Sequence, residues 1–289
     1  KQTSRMKKKI NTEQFEKLEN EIAPLLIGSK PELVELDLRI LEKDGTDDKS
    51  NLGANTITAT STAILKAQAA VSEVSTYEMV ACLCEMESVS LPFPMFNIIN
   101  GGAHADNKLH TQEFMIMPKK AKASEMVQVG SEIFHNLKKI LSERNLSVGV
   151  GDEGGFAPKI SDPKKALQVI MDAINAAGYT PGVDVEIALD VAAASFYNKE
   201  KNIYETSEGE KSVDDLLTVY HQLIAEFPIV SIEDPFDEND WDGFKKMVET
   251  LGNEVTVVGD DLFVTNPEFL QRGIDEKAAN AILIKVNQI

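Results

Sequence analysis

Four short apolar runs in the second half of the sequence end at ionisable side chains that could share acid–base or metal chemistry. Successive runs are separated by about 25 to 43 residues, which is close to the length of one βα repeat. In a parallel barrel, residues at these positions emerge on the same C-terminal face, where barrel active sites lie. We therefore expect one shared site, formed by Asp190, Glu233 with Asp234, Asp260 with Asp261, and Lys285.

Several carboxylates on one face would repel each other and raise each other's pKa values unless a cation lay among them. Oxygen ligands without histidine or cysteine select a hard cation, most simply Mg²⁺. A plainer alternative is that each acid only caps the helix that follows it. A doubly wound open sheet would also gather strand ends at one edge. The pattern therefore supports a common face more strongly than it supports a closed barrel.

Two glycine-rich segments carry further candidate residues. Residues 151–158 place Glu153 between glycines, which allow close backbone approach to a ligand and unusual backbone angles. Residues 100–107 carry His104, and Gln112 and Glu113 stand just before and at the start of the next apolar run. The alternatives are an acidic surface turn for the first segment and a loop histidine without a role for the second.

The elements that must position these residues change character near residue 90. Up to that point apolar residues recur at helical spacing, whereas from Leu91 short apolar runs alternate with amphipathic segments, which is typical of βα units. We expect two domains, 1–90 and 91–289, the second an α/β domain with a parallel sheet. Its predicted strands are Phe93–Ile99, Glu113–Met117, Val185–Leu189, Ile229–Ile232, Val255–Val258 and Ala281–Ile284. Its predicted helices are Ser124–Glu143, Pro163–Ala177, Val213–Glu226, Trp241–Leu251 and Pro267–Arg272.

Composition excludes several classes of protein. The 289 residues include 47 acidic and 29 basic side chains, which gives a formal charge of −18 and argues against nucleic acid as a partner. No apolar run reaches the roughly 18 residues of a membrane helix, so we expect no membrane insertion. The two cysteines, Cys82 and Cys84, provide no disulfide framework. These features favour a soluble cytoplasmic protein.

Eight segments together resemble the enolase family. They occur in the family's order and are spread over most of the chain from residue 44. Two of them, the glycine-rich segments, are specific to enolases among the related acid-sugar lyases and racemases. The segments are DGTDDKSNLGAN (44–55), FNIINGGAHADNKL (96–109), QEFMIMP (112–118), GVGDEGGFAP (149–158), ALDVAAASFY (188–197), SIEDPF (231–236), VGDDLFVTNP (258–267) and ILIKVNQI (282–289).

The resemblance implies a fold and an extent. An enolase has a small α+β N-terminal domain and a variant (β/α)₈ barrel with an irregular start. Residues 1–90 would be the helical part of the first domain, and residues 91–289 would supply about six of the eight barrel strands. The family's N-terminal mobile loop and its C-terminal phosphate-binding residues have no counterpart here, so we expect the sequence to be an incomplete enolase chain.

The resemblance also implies a reaction, the Mg²⁺-dependent reversible dehydration of 2-phospho-D-glycerate to phosphoenolpyruvate in glycolysis and gluconeogenesis. Removing a proton next to a carboxylate demands countercharge, which the enolase superfamily supplies with Mg²⁺ and a lysine or histidine base. By this resemblance, Lys285 is the base and Glu153 is the general acid.

The other residues take roles that support these two. The resemblance makes Asp190, Glu233 and Asp260 the Mg²⁺ ligands, with Glu233 and Asp260 also near the substrate. Glu113 assists Glu153, and His104 and Gln112 contact the substrate. Asp234 and Asp261 become structural neighbours of the ligands. The family also implies a homodimer or a higher homo-oligomer.

Two alternatives remain open. One is a non-catalytic enolase-like protein or fragment with an interaction role, which the intact catalytic positions disfavour. The other is a different lyase of the same superfamily, which the enolase-specific glycine-rich segments disfavour.

Overall fold

The computed structural model describes residues 12–151 and 153–288, which form two compact units. The first unit comprises the chain up to Ser90 together with the segment from Lys285, and the second comprises Leu91–Ile284. The basic residues at the start of the sequence, up to position 11, lie outside the described residues. The division into two domains, 1–90 and 91–289, therefore stays a prediction.

The described part of the first unit is helical, as its apolar spacing predicts. Its core consists of six buried side chains: Ile22, Leu36, Ile40, Leu52, Ile57 and Ile64. One helix ends at Gly45, whose φ of 68° is a left-handed cap that glycine adopts easily. The helices are α1 (Thr12–Lys17), which continues through a π-helical turn (Leu18–Ile22) into α2 (Ala23–Leu26), then α3 (Leu33–Asp44), α4 (Ala54–Val71) and α5 (Thr76–Leu83).

The second unit is an α/β structure in which strands and helices largely alternate, as predicted. Its strands are β1 (Phe96–Asn100), β2 (Glu113–Pro118), β3 (Val185–Asp190), β4 (Tyr197–Asn198), β5 (Ile203–Thr206), β6 (Gly209–Lys211), β7 (Ile229–Glu233), β8 (Thr256–Gly259) and β9 (Ala281–Ile282). Its helices are α6 (Ala123–Glu143), α7 (Pro163–Ala176), α8 (Val213–Glu226), α9 (Trp241–Leu251) and α10 (Pro267–Glu276).

The main sheet has the order β1-β2-β3-β7-β8-β9 and is open within the described residues. Its six strands match the number that the family resemblance implies. The last three pairings, from β3 through β9, are parallel. The first two, β1 with β2 and β2 with β3, are antiparallel. The expectation of a wholly parallel sheet is therefore wrong at its start, because β1 and β2 are joined by a loop without an α-helix, whereas parallel crossovers usually contain one.

Other differences are local. The first strand begins at Phe96 rather than Phe93. The small antiparallel sheet β4-β5-β6 was not predicted, because its strands are short and polar. Helix α10 continues four residues past the predicted end at Arg272. Gly273 lies within the helix and permits close packing there: a Cβ at this position would lie 2.6 Å from Cζ of Phe263.

A single core underlies the main sheet, with Ile116, Ile187 and Ile232 fully buried on successive strands. Among the described residues, no helix combines the length and the apolar character needed to cross a membrane.

Candidate active site

Strand register brings four of the predicted acidic residues to one edge of the main sheet, which we call the carboxylate edge. Glu113 pairs with Asp190 between β2 and β3, and Asp190 pairs with Glu233 between β3 and β7. Glu233 in turn pairs with Val258, and Asp260 follows two residues later. Because paired residues share a face of a sheet, the side chains of Glu113, Asp190 and Glu233 belong to one face. Asp260, just past the end of β8, is close enough to Asp190 to raise the pKa of that carboxyl. Asp190, Glu233 and Asp260 are all buried.

The electrostatics of Asp190 reflect this crowding. Burial raises the pKa of its carboxyl to about 6, and the nearby Glu113 and Asp260 push the pKa in the same direction. Hydrogen bonds oppose the shift: Nε2 of Gln112 donates to Oδ2 over 3.0 Å, and the Ala192 amide donates to Oδ1 over 3.1 Å. A cation near Asp190 would favour its ionised form.

Asp234 organises the adjacent turn. Its Oδ1 accepts the amide N–H of Asp260 over 2.9 Å, and its Oδ2 accepts the amide N–H of Asp261 over 2.8 Å. Its own backbone has a φ of 40°, in the left-handed region. Burial raises its pKa to about 7 even though these two hydrogen bonds lower it. Asp234 thus fixes the turn that presents the Asp-Asp pair.

The donor set of this edge suits a hard cation. Asp234, Asp260 and Asp261 each place an oxygen within 4.8 Å of the others. This group shares Asp260 with the predicted ligand set but does not include Asp190 or Glu233. Carboxylate oxygens without a thiolate or an imidazole are the ligands that Mg²⁺ prefers. The residues present therefore fit Mg²⁺ at the carboxylate edge.

The predicted substrate-contact residues lie against the same edge. Besides its side-chain bond to Asp190, Gln112 donates its amide N–H to the Asp190 carbonyl over 2.9 Å. Nδ1 of His104 lies 3.3 Å from Oε1 of Glu113, an ion pair whenever the imidazole is protonated. The structure thus brings Gln112, His104 and Glu113 together with the carboxylates.

Two segments, residues 100–112 and 149–158, form what we call the paired loops. Backbone hydrogen bonds join the second segment to β1: the Asn100 amide donates to the Phe156 carbonyl over 2.8 Å, and Phe156 donates to Ile98 over 2.9 Å. A Cβ on Gly151 would lie 2.7 Å from the carbonyl oxygen of His104 and closer still to Nδ2 of Asn100. Only glycine permits this approach of the two loops.

Glu153 lies at the tip of the second loop. The tip is closed by the Gly151 amide, which donates to the Gly155 carbonyl over 2.8 Å, and its chain reversal uses Gly154 at a φ of 91°. Glu153 is exposed there, while its neighbour Asp152 lies outside the described residues. Its role as general acid stays a prediction.

Lys285 follows the two-residue strand β9 by three positions and is exposed. It belongs to the first compact unit rather than to the unit that carries the carboxylates. Its role as base also stays a prediction.

Two asparagines of the first loop were not predicted to have a role. Asn100 is fully buried, and its Nδ2 donates to the Gly155 carbonyl over 3.1 Å. Nδ2 of Asn107 donates to the carbonyls of Asn100 and Pro158, over 2.9 and 3.1 Å. The available signal was an asparagine at a strand end directly before two glycines, a position where a side-chain amide can satisfy loop carbonyls.

Comparison with known proteins agrees with this architecture. A family model described as "Enolase, C-terminal TIM barrel domain" matches residues 88–289, and one described as "Enolase, N-terminal domain" matches residues 1–80. A protein of Corynebacterium kroppenstedtii named "Enolase" is 46% identical over 276 residues, which cover 95% of this chain and 64% of the relative. The chain therefore spans less than two thirds of that relative's length.

Proposed function

The chain belongs to the enolase family, and from this membership we propose that the protein containing it is a phosphopyruvate hydratase. This hydro-lyase would interconvert 2-phospho-D-glycerate and phosphoenolpyruvate in glycolysis and gluconeogenesis. The observation that supports the proposal is the carboxylate edge, where strand register aligns Glu113, Asp190 and Glu233, and where Asp260 is close enough to Asp190 to raise its pKa.

Asp190, Glu233 and Asp260 are the proposed ligands of Mg²⁺. When bound, Mg²⁺ would act as a Lewis acid that stabilises negative charge developing on the substrate carboxylate. Asp234 supports this arrangement through its hydrogen bonds to the Asp260 and Asp261 amides. Gln112 orients Asp190 by donating to its carboxylate.

Two residues carry the proton transfers. Lys285, in its neutral form, accepts the proton from C2 of 2-phosphoglycerate. Glu153, in its protonated form, donates a proton to the departing C3 hydroxyl, and Glu113 assists it. His104 and Gln112 contact the substrate from the loop side. General acid–base catalysis of this kind contributes about 10² to 10⁴ in rate.

Two finer features are also proposed. We place the protein in the cytoplasm, and we expect a homodimer or a higher homo-oligomer. Sedimentation of the full-length protein at several concentrations tests the oligomeric state.

The activity is tested with the full-length protein that contains this chain. Incubation with 2-phosphoglycerate and Mg²⁺ should produce phosphoenolpyruvate, followed by its ultraviolet absorbance. A chelator should stop the reaction and added Mg²⁺ should restore it. A folded protein that binds Mg²⁺ but gives no turnover would instead support the non-catalytic alternative.

A further inference from the structure

A cleft of about 340 Å³ lies beside the paired loops and is rich in polar side chains. The first loop contributes half of its lining, and the other half comes from the segment that directly follows the second loop and leads to helix α7. Pockets that hold small molecules begin at about this size. The lining residues are Asp106, Asn107, Lys108, Lys159, Ile160 and Ser161.

The hydrogen bond between the two loops fixes the backbones of the two lysines. Asn107 donates to the Pro158 carbonyl over 3.1 Å, and Lys108 and Lys159 each directly follow one of these bonded residues. A second bond, from Asn107 to the Asn100 carbonyl, holds the first loop to the end of β1. The lysines thus project from anchored positions, not from a free surface loop.

The two lysines differ in their ion pairing from Lys120 and Lys164. Lys120 pairs with Asp184 over 2.7 Å, and Lys164 pairs with Glu226 over 2.6 Å. Lys108 and Lys159 are both exposed, and within residues 12–151 and 153–288 neither forms an ion pair. Asp106, on the same cleft, leaves the lining with an excess of positive charge. The lining of the cleft is therefore positively charged, although the chain as a whole has a net charge of −18.

We infer that this cleft is an anion-binding site that captures the phosphorylated carboxylic acid substrate before it enters the catalytic site. The inference rests on the proposed function. Lys108 lies in the first of the paired loops, which also carries His104, and Lys159 directly follows the second, which carries Glu153. A substrate with a phosphate and a carboxylate is repelled by the protein as a whole, and a local positive patch reverses that repulsion and raises the encounter rate.

The kinetic test uses the full-length protein with Lys108→Gln and Lys159→Gln combined. At low ionic strength kcat/KM should fall about three- to tenfold with kcat unchanged, because capture precedes the chemical steps. The difference from wild type should shrink as salt is added, since screening shortens the range of charge interactions to about 3 Å at 1 M. A fall in kcat, or a loss of kcat/KM that salt does not alter, would overturn the inference.

Two matched variants make the sign and the location of the effect testable. Asp106→Asn removes the one negative charge of the lining and should raise kcat/KM at low salt, by about twofold. Lys138→Gln combined with Lys139→Gln makes the same charge change on the exposed face of α6 and should leave kcat/KM within experimental error. If kcat/KM fell equally in the α6 variant and the cleft variant, the effect would come from the net charge of the protein, and the proposed site would be contradicted.

A binding measurement separates this inference from the proposed activity. Inorganic phosphate is titrated with the full-length protein in the presence of a chelator, and its ³¹P line width is followed. Broadening should be weaker for the Lys108/Lys159 variant than for the Lys138/Lys139 variant. If turnover is absent but this difference is found, the proposed function fails and the anion site stands. If turnover is present but the two variants broaden the line equally, the anion site fails.

Discussion

On the carboxylate edge strand register positions Glu113, Asp190 and Glu233, whereas in the paired loops close backbone packing positions the side chains. Register fixes Asp190 against both Glu113 and Glu233 through backbone hydrogen bonds that do not depend on side-chain type. The loops depend on glycine at position 151 and on the buried amide of Asn100. Substitutions at the edge should therefore alter charge and chemistry but leave the fold intact. Substitutions at the loop glycines should mainly lower the stability of the fold.

The largest expected effects concern Lys285 and Glu153, the two residues that we propose transfer protons. In the full-length protein, Lys285→Ala should abolish both dehydration and exchange of the C2 hydrogen with solvent, a loss of at least about 10⁴ in rate. Glu153→Gln should abolish dehydration but retain C2 exchange, because proton removal precedes loss of the hydroxyl. The measurement is NMR of 2-phosphoglycerate in D₂O with Mg²⁺. Exchange by the Lys285 variant but not by the Glu153 variant would reverse the two roles.

The next effect tests the edge itself. Asp260→Asn should weaken Mg²⁺ binding by more than about 100-fold, since it removes the charge of a proposed ligand, a larger change than the loss of a residue that only orients a ligand. Asp261→Asn is the matched control, because it makes the same change at the adjacent, exposed position and should be milder. Calorimetric titration of Mg²⁺ into each variant measures the difference. The opposite ranking would assign Asp261 as the ligand.

A smaller effect is expected at Asp234, which acts through its neighbours. Asp234→Asn keeps the shape of the side chain but leaves it one oxygen. The amide N–H groups of Asp260 and Asp261 can then no longer each donate to a separate oxygen of residue 234. Mg²⁺ affinity should fall about 10- to 100-fold, as for other residues that orient a ligand. The same calorimetry applies. A loss as large as that of Asp260→Asn would show that Asp234 binds the metal directly, which its position within 4.8 Å of Asp260 and Asp261 allows.

The contrast between edge and loops also explains what the sequence could predict. Apolar runs that end in acids located Asp190, Glu233 and Asp260 at one edge, because strand ends and side-chain alternation are local properties. Strand direction is not local. The runs of β1 and β2 look like any others, and only the lack of a helix between them signals antiparallel pairing.

The roles of the loop residues could be predicted mainly from the resemblance to the enolase family. The glycines around Glu153 suggested close approach but not its partner, since the contact between Gly151 and His104 joins residues far apart in sequence. The hydrogen bonds of Asp234 escaped prediction for a similar reason: they depend on how the ends of β7 and β8 meet.

In the loops, Gly151→Ala should lower the free energy of unfolding by about 3 kcal/mol, near the upper end of the range for overpacking. The new methyl group would meet the fully buried Asn100 and the His104 carbonyl, and both are held by the surrounding structure. Urea unfolding of variant and wild type gives the difference. An unchanged midpoint would show that the two loops can separate without cost, and the packing account of Glu153 placement would fail.

Gly154→Ala gives the smallest expected effect and isolates backbone conformation from packing. This glycine has a φ of 91°, but a Cβ there would meet nothing within 4 Å. Its cost is therefore the left-handed backbone alone, about 1 kcal/mol, compared with about 3 kcal/mol at Gly151. The same urea titration compares the two variants in one series. Equal losses of unfolding free energy would mean that the backbone angles required at the Glu153 tip, rather than packing at Gly151, determine the stability of the loop. A clear excess at Gly151 would mean that contact with β1 and the first loop sets the position of Glu153, so that the proposed general acid is held by packing that the carboxylate edge does not need.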